Sequence, residues 1–253
     1  MNENTRGTLR RESDLATPLS TRIERGVAVS LTGKMDKSGI ARLIDHTLLK
    51  PDATIAEIRR LCEEAVRFGF HSVCVNPFFV PEASALLSGS GVKVTTVIGF
   101  PLGMTLTGVK VYEAMESALR GSEELDIVMN IGMAKSGRWG DVRKDVSEVI
   151  SATRGVVHKV IIEACYLTRA EKGEASRMVL ETGAGFVKTS TGFGPGGATL
   201  EDVHLVRSVV RDRCALKASG GIKTLGQVRE FIAAGAARIG TSSGVAIMSE
   251  LQD

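Results

Sequence analysis

From about Gly39 onward, short runs of β-branched and apolar residues alternate with longer stretches whose apolar positions recur at helical spacing. The runs that read as strands start near Arg42 (RLIDHT), His71 (HSVCVN), Lys93 (KVTTVIGF) and Glu124 (ELDIVMNIG). Four more start near Lys159 (KVIIEA), Phe186 (FVKTS), Ala215 (ALKAS) and Arg238 (RIGTSS). Each is followed by an amphipathic segment of helix length. In the segment from Thr54 to Phe68, Thr54 reads as the N-cap and Glu57 completes a capping box. Ile55, Ile58, Leu61, Cys62, Ala65 and Val66 share one face, and Gly69 ends the helix. Gly121, Gly183 and Gly235 punctuate later helices in the same way.

Eight such βα units with no long linker predict one α/β domain over residues 39–253, a (β/α)8 TIM barrel of parallel strands. A doubly wound open sheet is the alternative, and it would carry a Gly-rich dinucleotide loop after its first strand. Here that strand runs into His46-Thr47-Leu48-Leu49-Lys50-Pro51, without GxGxxG. Residues 1–38 are polar and lack sustained periodicity. They read as an N-terminal extension, mobile or packed on a neighbouring subunit, with one short helix near Leu19–Val29.

Composition narrows the partners. Of 253 residues, 43% are hydrophobic and 24% charged, so the chain can bury a core without metal or disulfide staples. The extension holds seven basic and five acidic residues, leaving a nearly neutral barrel with 25 against 24. There is no concentrated basic face and aromatics are only 4%, which argues against nucleic acid as a partner. No apolar run approaches the ~20 residues of a membrane span, and no secretory signal pattern is present. Cys62, Cys74, Cys165 and Cys214 have no CxxC spacing, as expected of free thiols in a cytoplasmic protein.

Strands buried on both faces should be continuously apolar, so charges inside them are informative. Asp45 closes the first strand, Asp126 sits in the fourth, Lys188 in the sixth and Lys217 in the seventh. The fifth adds Lys159 and Glu163, which share a face by period two. An amine at Lys188 would be partly desolvated, and a second cation at Lys217 would further favour its neutral, nucleophilic form. Such an amine attacks a carbonyl to form a Schiff base. Asp126 would serve as a proton relay with Lys217. The plainer readings are an ammonium reaching solvent at the barrel mouth and a structural ion pair; two lysines with Asp126 on neighbouring strands favour chemistry. Gly192-Phe193-Gly194-Pro195-Gly196-Gly197, Ser219-Gly220-Gly221 and Gly240-Thr241-Ser242-Ser243-Gly244 follow the last three strands. Their backbone N–H groups and hydroxyls suit a phosphate. His46, His71, His158 and His204 show no metal-ligand spacing, and no metal or cofactor is expected. His71 and Cys74 would lie on opposite faces of their strand, whereas Cys74 shares a face with Asn76.

The segments IDHTLLKPDAT, VCVNP, TVIGFPLG, ELDIVMNIGM, KVIIEACYL, FVKTSTGFGPGGAT, LKASGGIKT and RIGTSSG, in this order, resemble the 2-deoxyribose-5-phosphate aldolases of the short bacterial and archaeal type. The resemblance runs from about Ile44 to Met248. It implies a metal-free class I aldolase of deoxyribose phosphate catabolism that reversibly cleaves 2-deoxy-D-ribose 5-phosphate to acetaldehyde and D-glyceraldehyde 3-phosphate. By position it implies Lys188 as the Schiff-base lysine and Lys217 with Asp126 as the proton donor and acceptor. It also implies Asp45, Thr47 and Thr191 near the substrate, Cys74 beside the reacting carbon, and Gly192, Gly220, Gly221, Ser242 and Ser243 around the phosphate. A homo-oligomer, dimer or tetramer, is the implied assembly. Two departures stand out: Phe193 replaces a lysine that some members carry, and Ser249–Asp253 lacks the terminal tyrosine of others. Rival readings are another Schiff-base sugar-phosphate lyase, a phosphosugar isomerase, and a non-catalytic phosphosugar-binding barrel.

Overall fold

The computed structural model describes residues 36–251. The expected extension and its short helix near Leu19–Val29 therefore lie almost wholly outside the described residues. The eight expected strands are all present: β1 (Ile44–Leu48), β2 (Ser72–Val75), β3 (Lys93–Ile98), β4 (Glu124–Val128), β5 (Val157–Ile161), β6 (Phe186–Lys188), β7 (Ala215–Ser219) and β8 (Arg238–Thr241). All pair in parallel in sequence order, and β1 pairs β8 through Ile44↔Ile239, closing the barrel. A closed barrel, not an open sheet, is the outcome.

A short helix α1 (Lys37–Ala41) precedes β1. Between strands run α2 (Ile55–Phe68), α3 (Val80–Leu87), α4 (Thr107–Leu119), α5 (Ile131–Lys135) with α6 (Trp139–Ala152), α7 (Arg169–Thr182), α8 (Leu200–Val210) and α9 (Leu225–Ala233). Helix α10 (Gly244–Ser249) follows β8. Local chemistry sets several boundaries. Thr54 and Glu57 form the expected capping box on α2, and Thr168 with Glu171 and Thr224 with Gln227 do the same on α7 and α9. On α2, Ile58, Leu61, Cys62 and Ala65 are buried as expected, but Ile55 and Val66 are half-exposed. At 100° per residue those two fall at the edge of the stripe, beyond what the barrel covers.

Two cores result. Outward-facing strand residues such as Ile44, Val73, Val160, Val187, Leu216 and Ile239 pack beneath the helices. The barrel interior is different. Barrels are generally filled by branched aliphatics, yet here Asp45, Ser72, Thr95, Glu124, Asp126, Lys159, Lys188, Lys217 and Arg238 are all buried. Gly240 makes room for this layer: a Cβ there would lie 3.0 Å from Lys217 Cε.

Candidate active site

Asp126 is the centre of the interior network. Its Oδ2 accepts from Lys188 Nζ at 2.7 Å and Lys217 Nζ at 2.8 Å, while Oδ1 accepts from Lys159 Nζ at 2.8 Å. The register explains the convergence, because Asp126 pairs with Lys159 across β4–β5 and Lys188 with Lys217 across β6–β7. Lys217 also reaches Asp45 Oδ2 at 2.5 Å, and Lys159 reaches Glu124 Oε2 at 2.6 Å. Below them Arg238 joins Asp45 at 2.9 Å and Glu124 at 3.2 Å. Ser72 donates to Asp45 at 2.7 Å, and His71 Nε2 lies 2.8 Å from Glu124 Oε1.

Burial alone would raise the Asp126 carboxyl, but Lys159, Lys188 and Lys217 outweigh it and hold it well below the usual carboxylate range. Asp45 is held down in the same way, against burial, by Lys217, Arg238 and Lys159. Burial would make Lys217 a weaker base, but Asp126 and Asp45 outweigh it and keep Lys217 a cation. The neighbour that sequence placed beside Lys188 thus carries a fixed positive charge. Lys188 differs from the other two lysines in position. It lines the mouth, with its side chain 4% exposed, whereas Lys159 and Lys217 are sealed at 0%.

The mouth is a cavity of about 270 Å³ at the C-terminal ends of the strands. Of the residues singled out from sequence, Thr47, Lys188, Thr191, Gly192, Gly220, Gly221 and Ser242 line it. Three expected residues do not. Asp45 is fully buried and pairs with the equally buried Lys217. Cys74 packs with Leu49 and Val97, and its thiol is pushed up to about 11 by burial first and by Asp126 second. Ser243 turns its N–H to Thr241 Oγ1 at 2.9 Å.

On the other side of the mouth, glycine allows two loops to meet. A Cβ at Gly197 would sit 2.1 Å from the Gly220 carbonyl oxygen, and the Ala198 N–H donates to that oxygen at 3.1 Å. Gly192, Gly220 and Gly221 have φ of 87°, 88° and 78°. Among the described residues their N–H groups find no acceptor, which leaves them available to an anion. The ring of Phe193 stands edge-on to Phe100, 5.1 Å between centroids, at the rim.

Sequence reasoning named Lys159 only as a strand charge and passed over Glu124 and Arg238. The signal was present: Glu124 shares a face with Asp126 by period two, and Arg238 opens a strand in register with Lys217. Asp45, His71 and Glu124 bring possible ligand atoms within 4.8 Å of one another. Arg238, Lys159 and Ser72 already engage the oxygens there, so side-chain cations stand where a metal ion would. Glu163 does not continue β5. The strand ends at Ile161, and Glu163 has φ 48° and bonds Thr191 instead.

The comparisons agree with this geometry. Residues 40–250 match the model of the DeoC/LacD family aldolases. A protein of Carboxydothermus hydrogenoformans named deoxyribose-phosphate aldolase is 56% identical over 216 residues, covering 84% of this chain and 95% of its own. One of Thermococcus kodakarensis with the same name is 52% identical, covering 87% and 100%. Among solved structures, the tetrameric deoxyribose phosphate aldolase of Aeropyrum pernix superposes with TM-score 0.81 at 33% identity, over 85% of this chain and 92% of that one.

Proposed function

The chain belongs to the DeoC/LacD family of aldolases, and on that premise we propose how its barrel mouth cleaves 2-deoxy-D-ribose 5-phosphate. The enzyme is a deoxyribose-phosphate aldolase, a lyase acting on a small sugar phosphate. Lys188 is the nucleophile. The observation that carries this reading is that Lys188 and Lys217 share one carboxylate oxygen of Asp126 while only Lys188 opens to the cavity.

Charge balance supports the assignment. Asp45, Glu124 and Asp126 face Lys159, Lys217, Arg238 and Lys188, one positive charge in excess. Loss of the Lys188 proton leaves three carboxylates against three cations. The neutral amine adds to C1 of the open-chain aldehyde, and the carbinolamine loses water to give an iminium. Asp126 and Lys217 carry protons to and from the departing oxygen. The C3 hydroxyl then loses its proton, the C2–C3 bonding pair moves into the iminium, and glyceraldehyde 3-phosphate leaves. Protonation of the enamine at C2 and hydrolysis return acetaldehyde and the free amine. The unsatisfied N–H groups of Gly192, Gly220 and Gly221, with Ser242, receive the phosphate. Borohydride trapping with acetaldehyde followed by peptide mapping tests the reading. A reduced two-carbon adduct on Lys188 is expected, and its absence from folded enzyme would remove the Schiff base.

The assembly we propose is a homo-oligomer. Outward on α4, Val109, Tyr112, Met115 and Leu119 form one stripe continuous in sequence with Leu102, Met104 and Leu106, all 50–81% exposed. Together they present on the order of 700 Å² of apolar surface, close to one partner's share of a standard interface. Light scattering should report a dimer or larger for the wild type and a smaller species for Leu119→Glu; a wild-type monomer would refute the assembly. The proposed compartment is the cytoplasm. Cys62, Cys74, Cys165 and Cys214 form no disulfide with one another, and no described helix is long and apolar enough to cross a membrane.

A further inference from the structure

Glu163 is a buried carboxylate, 2% exposed, that the mechanism above does not use. It is one of two described non-glycine residues with positive φ, at 48°. A β-carbon makes that left-handed conformation costly, and such outliers persist where surrounding contacts enforce them. The enforcing contacts lie on both sides. The Ile162 N–H donates to the Lys188 carbonyl at 3.0 Å, and the Ala164 N–H donates to the Thr189 carbonyl at 2.9 Å. Two residues on the Glu163 side therefore advance against one beside Lys188. That is the geometry of a bulge, which re-aims a side chain.

The re-aimed carboxylate holds the turn after β6. Its oxygens accept from the Thr191 N–H at 3.2 and 3.3 Å and from the Thr191 hydroxyl. That hydroxyl, having donated its proton, accepts from the Phe193 N–H at 3.0 Å. Of three successive N–H groups in the turn, the outer two are thus tied down, directly or through Thr191, by Glu163. The middle one, on Gly192, is left for a ligand. The fit is close, because a Cβ at Gly194 would lie 3.3 Å from Glu163 Cδ.

We propose that Glu163 is the positioning residue of the turn that receives the substrate's phosphate, acting through Thr191 to aim the Gly192 N–H into the cavity. The proposal rests on the phosphate assignment made under the proposed function. With Phe193 supplying no charge to the turn, backbone orientation carries that side of the recognition. A structural role alone would affect every substrate equally, whereas positioning is felt by the phosphorylated one.

The test is steady-state cleavage of 2-deoxyribose 5-phosphate and of unphosphorylated 2-deoxyribose by wild type, Glu163→Gln and Glu163→Gly. Glycine removes the carboxylate but is at ease at this φ, so it guards against a folding failure, which a melting curve checks. In both variants KM for the phosphorylated sugar should rise about tenfold, the effect of losing one charge-assisted hydrogen bond. The kcat should stay within about threefold, and kcat/KM for deoxyribose should hardly move. Thr191→Val should reproduce the rise and add little to Glu163→Gln, since both act through one contact. An unchanged KM, or equal losses for the two sugars, overturns the role of Glu163 alone. A wild type with no preference for the phosphorylated sugar overturns the phosphate assignment, and the proposal with it.

Discussion

Replacing Asp126 with Asn removes one charge and almost no volume from the barrel interior. In the wild type three ammonium groups lie within 2.8 Å of this carboxylate, which is fully buried. An uncharged amide leaves Lys159, Lys217 and Arg238 facing only Asp45 and Glu124, even with Lys188 neutral. Removing one partner of a buried ion pair costs about 3–5 kcal/mol. For a domain of this size that corresponds to a fall in Tm of about 6–20 °C. Turnover should drop by about 10² to 10⁴, the usual contribution of a positioned acid or base. The pH dependence gives a second check with a fixed sign. The folded Asp126 carboxyl is held far below its unfolded value of about 4, so its contribution is present above that pH and lost as pH falls further. Melting curves of both proteins should therefore differ fully at pH 6–8 and begin to draw together only below about pH 4. A Tm within 2 °C of wild type at pH 7, or a gap that widens with acid, would refute the reasoning.

Other substitutions probe the remaining groups. Lys188→Leu should abolish trapping and turnover yet hold or raise Tm in a thermal melt, because it deletes the surplus positive charge; a large loss of stability would contradict the charge balance. Lys217→Leu should lower kcat by about 10² or more, because a proton carrier beside Lys188 is gone. A kcat within about threefold of wild type would argue against that role. His158 is pushed down to about 4, first by burial and then by Lys159. Its neutral form stabilises the fold above about pH 6.5, and that contribution fades as pH falls toward 4. Tm of His158→Phe should accordingly depend less on pH between those values than that of the wild type.

Chain order alone determined a good deal. Short β-branched and apolar runs marked all eight strands, Thr54 with Glu57 three residues on marked a helix start, and charges inside strands marked Asp126, Lys188 and Lys217. These are local signals, because they follow from backbone geometry within a few residues of one another. What chain order could not show was which charges share a layer. Asp126 meets lysines 33, 62 and 91 residues away, and Arg238 meets Asp45 across 193. Periodicity assigns a face to a side chain, but only the closed sheet and its register assign it neighbours, and a buried charge is defined by its neighbours. Hence Asp45, expected at the substrate, serves Lys217 from below, and Glu124, Arg238 and Lys159 emerge as the groups that balance the interior. Glu163 shows the same limit at one residue. Period two would have carried it inward beside Lys159, but a left-handed turn imposed by its contacts with the Lys188 strand aims it at Thr191.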